Sequence, residues 1–163
     1  MARNNWRFTA GTGNKLEKYL VDTIEYADYK IWAIAVGPLG QLFERDSVKY
    51  ALKRAFVRGV EIVVILDSHT CPGTYSLPII IPSENLRICN SISTPHPLVL
   101  VADTGIRIAY LESPKLGKKV KARYIRNDFR AGKAFTERIF QAHLEKSVAW
   151  RLDKKTEVSN GNT

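Results

Sequence analysis

Cysteine is scarce: the 163 residues contain only two, Cys71 and Cys89. Two thiols are too few for a disulfide framework or a four-thiolate zinc site, so they read as ordinary thiols. Only three histidines occur, His69, His96 and His143, far apart in sequence, and they suggest no metal site or cofactor motif. No apolar run approaches the about eighteen residues of a membrane span, and MARNNWRFTAG has no signal-like apolar core. These features lead us to expect a soluble, cytoplasmic protein with no membrane partner. Acidic residues are also in deficit, with 16 Asp and Glu against 25 Lys and Arg, for a net charge of +9.

That excess is concentrated. Between Lys115 and Arg138 stand nine basic residues, Lys115, Lys118, Lys119, Lys121, Arg123, Arg126, Arg130, Lys133 and Arg138, against Asp128 and Glu137. A focused basic segment attracts polyanions, nucleic acid among them. Within it, Lys119, Lys121 and Arg123 alternate with Val120, Ala122 and Tyr124, which would aim three cations from one face of a strand. The other reading of that ridge is an edge strand guarded by charge against aggregation.

The apolar pattern gives the architecture. With 45% apolar residues, the chain suits one domain, expected over 1–152 and followed by a polar tail over 153–163. Leu16, Leu20 and Ile24 recur at helical spacing, predicting a helix over 14–27 capped by Asn14. KIWAIAV over 30–36 and VEIVVIL over 60–66 read as buried strands. Between them Val48, Ala51, Leu52, Ala55 and Phe56 mark a helix over 44–58, closed by Gly59. Short links make this a βαβ unit, so the strands should be parallel.

An irregular excursion is expected over 67–85. Strands follow at 86–89, 97–103 and 106–111, the last two joined tightly through Thr104 and Gly105, and another at 120–126. A helix from Asp128 to about Leu152 should close the domain.

The order of elements, with ALKRAFVRGVEIVVILDS, HPLVLVAD and a closing helix ending in EKSVAW, resembles one half of the phospholipase D superfamily over roughly residues 14–150. The resemblance implies an α/β half-domain with a mixed central sheet, a βαβ unit and flanking helices. It also implies a signature of His, any residue, Lys, four residues and Asp, which here reads His96, Leu98 and Asp103. In such a pair of half-domains one histidine attacks phosphorus, its partner protonates the leaving group, and lysines hold the phosphate oxygens.

Strand alternation would put His96 and Leu98 on one side and Asp103 on the other, where its role would be structural. Leu98 removes the cation, and Tyr110, Leu111, Glu112 and Ser113 stand where small phosphate-facing residues are usual. The resemblance therefore implies an inactive, dimerising module associated with nucleic acid, of the kind found in archaeal regulators and mobile elements. Two alternatives remain: a homodimeric phosphodiesterase or nuclease with His96 as nucleophile, and a small-molecule sensor using the former cleft. Asp67, Ser68 and His69 are less plausible as a relay, because neighbours on an irregular loop seldom form one. His143, beside Ile139 and Ala142, reads as a packing residue.

Overall fold

A computed structural model describes residues 10–67, 77–82, 84–90, 92–112 and 120–149. Seven strands form one mixed sheet: β1 (Lys30–Ala35), β2 (Glu61–Asp67), β3 (Leu86–Cys89), β4 (Leu98–Ala102), β5 (Arg107–Leu111), β6 (Ala122–Arg126) and β7 (Val148–Ala149). Their order across the sheet is β6-β5-β4-β1-β2-β3-β7. Strands β1, β2 and β3 are parallel, as the βαβ reading requires, and the other pairings are antiparallel.

Helices α1 (Ala10–Tyr26) and α2 (Asp46–Val57) cover one face. Leu16, Leu20 and Ile24 of α1 and Val48, Ala51, Leu52 and Ala55 of α2 are buried there against Leu98, Leu100 and Ala102. On the opposite face, Ile139 and Phe140 of the closing helix pack on Trp32, Ile34, Val99 and Val101. Because β4 is apolar at every position and β1 at every position after Lys30, both faces of the sheet are dry there, as buried central strands must be.

Several boundaries differ from expectation for local reasons. Helix α1 begins at Ala10, so Asn14 is an exposed residue inside it and not its cap. Glu44 belongs to a 3-10 helix (Gly37–Glu44) that precedes α2, with Pro38 in its first turn. Gly59 does close α2, with φ +88, a conformation that favours glycine. Within the excursion, Leu77–Ile80 form the short helix α3.

The β4–β5 turn is wider than a Thr104–Gly105 pair. Asp103 and Thr104 both have positive φ, and the Gly105 and Ile106 N–H groups both donate to the Ala102 carbonyl. The closing helix starts as α4 (Phe129–Phe135), capped by the Asp128 carboxylate, which accepts from Ala131 N at 2.9 Å. It passes through a π-helical turn (Thr136–Phe140) into α5 (Gln141–Lys146). It does not reach Leu152 as expected: Ser147 turns extended at ψ 161, and Val148 and Ala149 become β7 on the edge of β3.

Candidate functional site

Strand β4 runs between two ends of the sheet, and the two ends of HPLVLVAD have different surroundings. At one end the Asp103 side chain is buried and takes three main-chain N–H bonds. Its Oδ2 accepts from Asp28 at 2.6 Å, and its Oδ1 accepts from Tyr29 and Lys30 at 2.9 Å each. Asp103 thus fixes the entry of the chain into β1, and a short side chain that tolerates its φ of 50° is needed there.

At the other end His96 precedes β4, beside the carboxyl end of β1, where Val36 N–H donates to the Pro97 carbonyl at 2.9 Å. Thr94 Oγ1 donates to the His96 carbonyl at 2.9 Å and accepts from its N–H at 3.3 Å, so the histidine lies in a local turn. The imidazole packs at 4.7 Å from the Tyr110 ring and 5.9 Å from the Phe135 ring, which are themselves 6.0 Å apart. Burial among these rings lowers the His96 pKa below its ordinary 6.5, with the Glu112 charge acting the other way. Burial, and then Glu112, raises the Tyr110 pKa.

The expected common side for His96 and Leu98 is not observed. Leu98 is fully buried in the layer under α1 and α2, whereas the His96 ring lies with Tyr110 and Phe135 on the face of the closing helix. The reason is that β4 starts at Leu98: the bend at 95–97 breaks the two-residue alternation before it reaches His96. Position 98 supplies core volume and cannot present a charge beside the imidazole.

Lys121 and Arg123 are exposed and, with Ile125, belong to the face that carries Tyr110 and Phe135. Arg123 Nε donates to Glu112 Oε2 at 2.8 Å, and Glu112 N–H donates to the Lys121 carbonyl at 2.8 Å. This pair was missed in the sequence because it depends on the β5–β6 register. Tyr110 could have been anticipated, since folding the hairpin sets it opposite Val99.

Arg126 projects from the other face, where its guanidinium lies 5.4 Å from the Tyr124 ring, so it does not prolong the Lys121–Arg123 ridge. Arg130 is exposed at the start of α4, and Lys133 pairs with Glu137 at 3.8 Å. Lys115, Lys118, Lys119 and His69 lie outside the described residues. Buried His143 joins the closing helix to the His96 loop: Nε2 accepts from Ser93 N–H at 2.9 Å, which leaves Nδ1–H to donate to the Ile139 carbonyl at 2.6 Å. Among the described residues no cluster of three or more His, Cys, Asp or Glu could hold a metal ion.

A seven-stranded mixed sheet with this helix placement has known counterparts. Nuc from Salmonella typhimurium, a phospholipase D family member, superposes with a TM-score of 0.57 at 18% identity, over 81% of this chain and 88% of Nuc. The chain has the phospholipase D fold. NucT from Helicobacter pylori matches with a TM-score of 0.59 at 13% identity, over 88% of this chain and 96% of NucT. TrmBL2, an archaeal chromatin protein described as showing a novel mode of DNA binding, matches with a TM-score of 0.60 at 18% identity. That match covers 86% of this chain but only 50% of TrmBL2, so the chain spans about half its length. No family model and no curated protein matches the sequence. The three residues that resemble the signature have separate surroundings: His96 lies outside the strand, Leu98 in the core and Asp103 in a main-chain clamp.

Proposed function

We propose that this domain is a nucleic-acid-binding module that no longer turns over phosphodiesters. The burial of Leu98 carries this reading: the place where the signature puts a phosphate-holding cation is filled by core. A missing oxyanion-stabilising group costs ~10² to 10³ in rate, and a two-fold pair of such sites would lose it twice. Arg123 is a poor replacement, because its guanidinium is engaged by Glu112. Binding is supported by the net charge of +9, by the exposed Lys121, Arg123 and Arg130, and by the likeness to a DNA-binding chromatin protein. Two copies pair across the end of the sheet that holds His96, as half-domains of this fold do when they share a site. Sedimentation of a monomer at high micromolar concentration would count against that pairing.

The test is retardation of duplex DNA across a salt series. Each phosphate contact contributes a log–log slope of about −0.9 on duplex, so changing Lys119, Lys121 and Arg123 together to Ala should reduce its magnitude by about 2 to 3. A parent protein that fails to retard duplex at low salt would remove the reading.

A further inference from the structure

The other end and other face of the sheet carry a second cationic feature. Arg107 of β5 and Arg126 of β6 are direct cross-strand partners. Like charges so placed repel each other, and among the described residues neither has a carboxylate within ion-pair distance.

Aromatic rings take the place of counter-charges. The Arg107 guanidinium lies 3.9 Å from the Tyr26 ring centroid, and Arg126 lies over Tyr124. Tyr124 in turn stacks on Tyr19 at 5.2 Å with the rings 8° from parallel. Arg107 donates to the Ile106 carbonyl at 2.7 Å and to Asn127 Oδ1 at 3.4 Å, but its buried Nε has no hydrogen-bond partner among the described residues. Asp22 acts on Tyr124 through its charge without forming an ion pair with either arginine. Tyr26 and Tyr29 are each about half exposed at this corner, at 51% and 55%, and the Tyr29 hydroxyl lies 3.3 Å from Thr104 Oγ1.

We infer that Arg107 and Arg126 form a second polyanion site, one that takes the phosphates of a single-stranded nucleic acid while Tyr26 and Tyr29 offer ring surface to its bases. A phosphate between the two guanidiniums would relieve their repulsion. Exposed rings beside cations suit unpaired bases, whose faces a duplex hides. The site rests on the nucleic-acid reading only for the nature of the polyanion, since it shares no residue with the Lys121–Arg123 face.

The experiment is anisotropy titration of a fluorescein-labelled oligothymidylate of about twenty nucleotides across a salt series. At about 0.7 in slope per single-strand contact, Arg107→Gln with Arg126→Gln should lower the slope magnitude by about 1.4, and Arg126→Gln alone by about 0.7. The single variant alters one exposed side chain and so guards against misfolding of the double. Tyr26→Leu should weaken binding about tenfold with the slope nearly unchanged, through lost stacking.

The Lys119, Lys121 and Arg123 triple variant separates the two surfaces: it should lose duplex retardation yet keep the Arg107-dependent part of the oligothymidylate slope. The site would be overturned by a parent that does not bind the oligonucleotide, or by variants that bind it as the parent does. It would also be overturned if the arginine variants lost binding only to phosphatidylserine vesicles.

Discussion

Asp103 and His96 stand at the two ends of one strand, seven residues apart, and the contrast between them separates scaffold from chemistry. Around Asp103 every contact serves the chain itself: three main-chain donors converge on one buried carboxylate. Around His96 the contacts include aromatic packing and a local turn, while Leu98, two residues on, is committed to the opposite core layer. The architecture itself needs an acid at position 103, whatever chemistry the other end of the strand does or does not perform.

The strongest challenge to that contrast is Leu98→Lys. A lysine there would enter a dry layer with no partner, so we expect a loss of at least about 4 kcal/mol in chemical denaturation and no gain of hydrolysis. Recovery of activity with little loss of stability would mean that position 98 can still reach the site. Asp103→Ala is expected to cost about 3 to 5 kcal/mol, because three main-chain donors lose their acceptor, whereas Asp103→Asn, which keeps one acceptor oxygen, should cost about half as much. Equal, small losses for both would deny Asp103 its scaffold role.

His143→Ala should cost about 1 to 3 kcal/mol by leaving Ser93 N–H unpaired. It would also loosen the 92–96 loop, and amide exchange at Ser93 would report the opening.

The smallest effect concerns pH. Burial lowers the folded-state pKa of His96, so below 6.5 the unfolded chain binds the proton more readily. The contribution of His96 is therefore complete above 6.5 and is lost as pH falls through the lower folded value. As pH falls through that acid window, and only there, the denaturation midpoint of the parent should drop relative to that of His96→Gln. A stability difference that stays constant across it would mean the burial at His96 has no titration consequence.

Period-two and helical patterns located the elements well wherever both neighbours of a segment were apolar or punctuated. β3 lies where LRIC suggested, and Gly59 stops α2 because only a flexible backbone takes φ +88 cheaply. The closing helix was overrun because Val148 and Ala149 fit a helical stripe equally well. Their pairing with Ile88 and Arg87 is a long-range fact that no local pattern contains. The site was less legible for the same reason. Asp103 and His96 both lie beyond the ends of β4, where parity no longer places a side chain, and the Tyr110, Phe135 and Glu112–Arg123 surroundings arise from separate elements.

The measurement that bears most directly on the proposed absence of turnover is metal-independent hydrolysis of a chromogenic phosphodiester by the parent and by His96→Ala at high protein concentration. Both should remain at background, indistinguishable from each other. Clear turnover by the parent that His96→Ala abolishes would contradict the account and make His96 a nucleophile.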